Sequence, residues 1–310
     1  MIRRSGAVAL SVAGVLALGS CTQAAQVRPS LDPPPPVSPS RTPAPPAPTA
    51  MATESLTESF PYGAFSDPTT IDNMYFPLIP GTRFTWEGVA DGDEGPVAHQ
   101  VVFTVTDLTK VIDGIRTVIG YDLDYSDGEL VEAELALWAQ DDDGVVWHLG
   151  QYPEEYEDGE IVDTPAWIAG LDEAKAGISM KPDPQVGGLS YSQGWGPDVD
   201  WTDRARVLET GSVTCVPAGC YENVLVIDEF NRDEPDAHQL KYYAPGVGNV
   251  RVGWAGALEP DHESLELVSI ERLDADGLEE LRAIVLEMEA RAYQLSPDVY
   301  GETKPAEPAG

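Results

Sequence analysis

The chain is poor in positive charge, with 18 lysines and arginines against 53 aspartates and glutamates in 310 residues, a formal net charge of −35. A field of that sign excludes nucleic acid as a partner and repels anionic lipid headgroups. Histidine is scarce. His99, His148, His238 and His262 are widely spaced, with no H-x-H or H-E-x-x-H, so no local zinc motif exists. A nucleophile elbow is missing as well: "GLSYS" (Gly188 to Ser192) comes nearest to G-x-S-x-G, fails at its last position and stands in a strand-like run. Gly246 and Gly248 have their third glycine only at Gly253 with no helix after it, which makes a turn and not a dinucleotide loop. Long apolar runs are absent too. Ala7 to Leu18 has signal-peptide length, too short to span a bilayer.

What the N-terminus does have is an address. Arg3 and Arg4 precede the apolar run, and Leu18-Gly19-Ser20-Cys21 follows it. This tetrad resembles the lipobox of bacterial lipoproteins. The resemblance implies cleavage before Cys21, diacylglycerol and palmitate-type acylation of that residue, and a location on the extracytoplasmic face of the cell membrane or envelope. Several acyl chains, at about 0.8 kcal/mol per buried CH₂, hold a protein durably where one does not.

Ten of the 27 prolines fall between Cys21 and Glu58, and no aromatic residue occurs there. Such a segment cannot bury a core and is expected to be an extended spacer. The expected organisation is a signal peptide at 1–20, a disordered proline-rich stalk at 21–60, a β-rich exported domain at 66–295 and a disordered tail at 296–310. Residues 1–60 hold four arginines and three carboxylates, so the rest carries 14 positive and 50 negative groups, a formal −36.

If lipid consumes Cys21, Cys215 and Cys220 remain in an oxidising compartment, flanking Val216-Pro217-Ala218-Gly219 between two β-rich runs. A disulfide clipping that hairpin is expected, since C-x₄-C lacks a second pair for a metal and is not C-x-x-C. Short runs rich in β-branched and aromatic residues recur from Thr82 to Leu273, separated by Gly, Pro and Asp turns, with no βα alternation before residue 274. They predict a mainly β fold: an antiparallel meander forming a strongly curved sheet, sandwich or partly open barrel. Leu278, Leu281, Ile284, Val285, Met288, Ala292 and Leu295 predict one amphipathic helix over 277–295, capped by Asp274 or Asp276 and stopped by Ser296-Pro297. It is expected across the concave face of the sheet or plugging the barrel.

"NMYFPLIPGTRFTWEG" (Asn73 to Gly88), "WAQDDDGVVWHLG" (Trp138 to Gly150), "VTCVPAGCYENVLV" and "YYAPGVGNV" (Tyr242 to Val250) resemble a family of uncharacterised exported bacterial β-proteins. The resemblance implies fold and export and supplies no catalytic residue. The chain departs from the family pattern at position 151, where Gln replaces an acidic residue, and in the two cysteines around the VPAG turn.

Two features invite a site. Asp141-Asp142-Asp143-Gly144 fails EF-loop spacing, with Ala139 at the first position and Gly150 at the twelfth, and reads as a hairpin tip. Calcium held by separate loops stays open as a weak cofactor at about 10⁻⁴ to 10⁻³ M. The tryptophans (Trp86, Trp138, Trp147, Trp167, Trp195, Trp201 and Trp254) suit a core, or a cupped surface that stacks on a sugar or an apolar ligand. The expectation is a membrane-anchored envelope lipoprotein that binds a ligand or partner without catalysis. The alternatives are an envelope hydrolase with an acid-base pair assembled by the fold, and a calcium-binding surface protein.

Overall fold

The computed structural model describes residues 54–92, 95–234, 236–260 and 262–309. The expected signal peptide, Cys21 and the stalk up to residue 53 lie outside them.

The alternating runs form two antiparallel meanders. The first comprises β1 (Thr82–Gly92), β2 (Gly95–Ile112), β3 (Ile115–Ser126), β4 (Glu129–Gln140) and β5 (Val146–Glu157). The short strands β6 (Glu160–Asp163) and β7 (Trp167–Ile168) fold back on β5, as does β8 (Lys175–Met180). After β9 (Tyr191–Ser192) and β10 (Gly194–Trp195), the second meander runs through β11 (Arg204–Val216), β12 (Gly219–Phe230), β13 (His238–Ala244), β14 (Gly248–Ala255) and β15 (Ser264–Arg272). The helix α1 (Ala275–Leu295) and a last strand β16 (Glu307–Pro308) end the chain. Asp113-Gly114, Asp127-Gly128 and Asp158-Gly159 all have positive φ at both residues, the requirement of the two-residue turns that best match strand twist.

The meanders join into one sheet in the order β10-β8-β5-β4-β3-β2-β1-β15-β14-β13-β12-β11-β9. Thr82 to Val89 of β1 pair with Arg272 to Ser264 of β15, so the first and last long strands meet in its middle. The long strands nearest its two edges, β8 and β11, are separated in sequence only by the short β9 and β10. The sheet is open. Its edges are instead strapped by Tyr191 to Trp195: β9 pairs with β11 and β10 with β8, with Gln193 between them. The strands curl toward each other, because Phe76 packs against both Trp138 of β4 (5.9 Å) and Tyr243 of β13 (6.2 Å).

Both faces of β4 and β5 are largely covered. On the convex face, Ile119, Leu135, Leu137 and Tyr152 are fully buried. The helix packs on this face, burying Leu281, Val285, Met288 and Ala292, while Arg291 bonds Glu154 at 2.8 Å and 3.0 Å. The concave-face or plug position expected from sequence is therefore incorrect. The concave face is lined by polar and aromatic side chains of the two curled halves, while the apolar stripe on the convex face needs a cover. Asp274 is the N-cap, accepting from Gly277 N–H at 2.9 Å.

The tail and the end of the stalk also differ from expectation. Tyr300 is fully buried, Lys304 C=O accepts from Lys110 Nζ at 2.6 Å, and β16 pairs with β2. Residues 296–309 are thus packed, because the buried Lys110 and Glu289 need backbone partners from them. Residues 54–60 belong to the folded unit as well. Glu54 accepts from Ser190, Arg204 Nη1 donates to Ser55 C=O at 2.9 Å, and Phe60 meets Trp147 edge-on at 5.0 Å.

Candidate functional site

The acid-apolar alternation of "YDLDY" in β3 and "EAEL" in β4 puts two carboxylates of each strand on one side. Register sets Asp122 opposite Glu134 and Asp124 opposite Glu132. That side is the concave face. Like charges directly opposite each other destabilise a ladder, and these are shielded from water as well. Glu132, Glu134 and Asp124 are all buried, Glu134 to 3% exposure.

The other strands add to this layer. His99 of β2 places one ring nitrogen 2.6 Å from Asp124 Oδ1 and the other 3.2 Å from Glu263 Oε1. From β13, Lys241 reaches Glu229 Oε2 at 2.8 Å and Gln239 donates to Glu263. From the strap, Gln193 Nε2 donates to Glu229 Oε1 at 2.7 Å. The layer is a net acceptor, with several carboxylates facing one lysine and one histidine.

Burial dominates the protonation of these groups. It pushes the Glu134 carboxyl up to about 7, helped by the charge of Asp122 and opposed by Lys241. Burial raises Asp122, Glu263 and, most of all, Glu132 above the usual carboxylate range. Burial alone would lower His99, but its hydrogen bond to Asp124 and the charges of Asp124 and Glu263 raise it overall. Lys241 is raised in the same way, burial being outweighed by Glu229. His148 has no such partner, and burial drives it down to about 3, so it is neutral.

Some polar atoms here find no protein partner. They include Glu134 Oε2, Gln151 Oε1 and Gln193 Oε1 among acceptors, and Trp167 Nε1 and Trp201 Nε1 among donors. Register puts Gln151 opposite Ala136 on β4, two residues from Glu134 on the same face. The rings of Trp167 and Trp201 stack at 6.2 Å, and His148 stands 4.9 Å from Trp167 and 5.4 Å from Trp138. An acceptor-rich layer thus adjoins an aromatic one.

The residues singled out in sequence fall elsewhere. Cys21 lies outside the described residues. Cys215 and Cys220 face each other across β11 and β12 and are disulfide-bonded, with Cα atoms 4.0 Å apart. Asp141 caps its own hairpin, its carboxylate accepting from Asp143 N–H, Val145 N–H and Trp147 Nε1 at 2.8 to 3.0 Å, while Asp142 receives Ser66 N–H and Oγ–H. That stretch ties β4, β5 and the N-terminal lead-in together. Among the described residues, no three His, Cys, Asp or Glu side chains form a group suited to a metal ion. Ser192 Oγ donates to Gly194 C=O at 2.8 Å, so "GLSYS" is strap structure. Trp254 is the large exposed tryptophan, at 43%, set 4.0 Å from His262, which contacts Asp91 at 2.7 Å.

Fold and layer together define a strapped, open β-meander with a buried acidic concave face. No family model and no curated protein matches the chain. Two solved structures are similar to it. One, designated an exported protein with a YmcC-like fold from Bacteroides fragilis, has a TM-score of 0.38 and 12% identity over 64% of this chain and 100% of its own. The other, designated a lipoprotein from Parabacteroides distasonis, has a TM-score of 0.34 and 11% identity over 64% of this chain and 99% of its own.

Proposed function

We propose that the protein is an exported lipoprotein, anchored through lipid on Cys21, whose folded unit binds a small polar ligand on its concave face without catalysis. The lipobox-like tetrad and the proline-rich segment support the anchor and the spacing from the membrane. One observation carries the binding reading: Glu134, Gln151 and Gln193 are each at least 95% buried and each keeps an acceptor oxygen without a protein partner. A buried polar atom left unsatisfied costs about 1–3 kcal/mol, a burden that a fold selected for stability alone would shed by apolar substitution. Binding is favoured over hydrolysis because the one histidine in the layer faces two carboxylates and no hydroxyl nucleophile.

The test is native mass spectrometry of the mature protein extracted from its own envelope. A stoichiometric small molecule, lost on denaturation, is the expected result. A ligand-free protein that turns over esters or glycosides would overturn the reading. Cys21→Ala should move the protein from the membrane fraction to the soluble one.

A further inference from the structure

We propose that the lead-in at 54–60 is a latch on the strap: its transient release lets the strap lift, and solvent reaches the concave face through the seam this opens between β8 and β11. This goes beyond the binding reading and needs no ligand for its test, so its failure would leave that reading standing. Among the described residues no ladder joins β8 to β11 directly, and the path through the sheet runs the long way round. The strap is the bridge across the seam. It is paired at only two residues on each side, Tyr191 and Ser192 with Ala205 and Arg204, and Gly194 and Trp195 with Ala176 and Lys175. Ladders that short open locally unless another element holds them.

The lead-in supplies that hold. Glu54 accepts from Ser190 N–H and Ser190 Oγ–H, both at 2.9 Å, and Glu58 accepts from Ser192 N–H at 2.9 Å. Arg204 then couples lead-in and strap. Its side chain is buried, and its guanidinium donates to Ser55 C=O at 2.9 Å and Leu56 C=O at 3.2 Å. The same group donates to Ser190 Oγ and Ser190 C=O, both at 2.8 Å. The one carboxylate within 4.0 Å of it among the described residues is Glu58, again on the lead-in. A buried guanidinium stripped of its acceptors is costly, so Arg204 cannot keep its place once the lead-in leaves. The strap loses both bonds at Ser190 in the same event. Lead-in and strap are released together.

Opening has a consequence because of what the strap covers. Gln193 Nε2 donates to Glu229 Oε1 at 2.7 Å, and Gly194 lies so close to the rings of Trp167 and Trp201 that a Cβ would not fit. Lifting the strap therefore uncovers a carboxylate of the acidic layer together with the buried Trp167, whose Nε1–H has no protein partner.

Hydrogen exchange of the full chain in detergent tests this, read at the amides of 190–195 and at the indole N–H of Trp167. Glu54→Ala combined with Glu58→Ala should speed exchange at Gln193, Trp195 and the Trp167 indole together, by about tenfold, while β2 and β3 stay protected. Phe60→Ala guards against a misfolded double variant. Its ring contacts are with Tyr62, Phe65 and Trp147, so it loosens the lead-in away from the strap and should move the same three protons in the same direction. A rise confined to Ser190 and Ser192, whose acceptors were removed, would overturn the latch, as would strap amides that speed up while the Trp167 indole stays protected. Exchange at Gln193 and Trp195 that Phe60→Ala leaves unchanged would also overturn it.

Discussion

Moving from pH 5 to pH 8 should destabilise the folded unit, against the common pattern in which carboxylates stabilise a protein as they ionise. Glu134 titrates near 7 when folded and near 4.5 when unfolded. A raised carboxyl contributes stability below its unfolded value and loses that contribution as pH climbs through its folded one. The gap, at 1.36 kcal/mol per unit, amounts to about 3 kcal/mol lost across that window. Asp122, Glu132 and Glu263 are raised by burial and act in the same direction. So does His99, raised above 6.5, whose contribution disappears as pH rises through its folded value. Glu54 and Asp142 are shifted downward, so their effect falls below pH 4.5, outside the window. His148 acts the other way: held neutral by burial with its folded value at about 3, it regains about 2 kcal/mol as pH rises from 5 past its unfolded value. Urea unfolding of the ligand-free protein at both pH values in 0.15 M salt measures the difference. The Glu134 share, about 3 kcal/mol, corresponds to roughly 6–12 °C in melting temperature for a domain of this size and is read from the difference between the parent and Glu134→Gln curves. Glu134→Gln should remove that share of the loss. A Glu134→Gln curve with the same pH dependence as the parent would refute the account of the concave face as a layer held partly protonated.

Two further outcomes test the frame around the site. Lys110 is fully buried, with Nζ bonded to Glu289 (2.7 Å), Tyr293 (3.0 Å) and Lys304 C=O. Lys110→Met strands Glu289 and should cost about 3–5 kcal/mol in urea unfolding, whereas Lys110→Met with Glu289→Met should cost clearly less than the two singles together. A single-variant loss below about 1 kcal/mol would be inconsistent with that pairing. A Cβ on Gly177 would collide with the backbone of Gln193 and Gly194, which cannot move aside as a side chain can. Gly177→Ala should therefore cost about 1–3 kcal/mol and raise amide exchange at Trp195 while β11 and β12 stay protected. Unchanged exchange at Trp195 would show that the strap tolerates the methyl group.

The architecture was largely legible because its signals are local. Alternation and Asp-Gly turns are read a few residues at a time, and the two meanders follow from them. The helix was legible from its spacing, but not the face it covers. That depends on Leu135, Leu137 and Tyr152 being on the convex side, which only the curl of the sheet decides. The 296–310 tail looked free because its anchor is Lys110, nearly two hundred residues earlier. The concave layer was hidden for a related reason. Acids alternating with leucines normally mark a solvent face, and here both faces are covered. One signal was available: Asp122 and Asp124 fall in phase with Glu134 and Glu132 across a tight hairpin, an arrangement that a solvated ladder avoids. Gln193 gave no such signal, since its role comes from sitting between two edges that meet only after the sheet curls.

The pairing of β1 with β15 orders how the molecule can assemble. Each meander closes hairpins of neighbouring strands, which is fast, while the β1–β15 ladder must join residues such as Phe84 and Ile270 across most of the chain. Two half-sheets therefore form first, and their union along that ladder is the slow step. The same geometry makes the stretch between Met180 and Tyr191 a natural place to cut, because it carries no strand of the ladder. Fragments divided there would each retain a complete meander and could find each other again along β1 and β15.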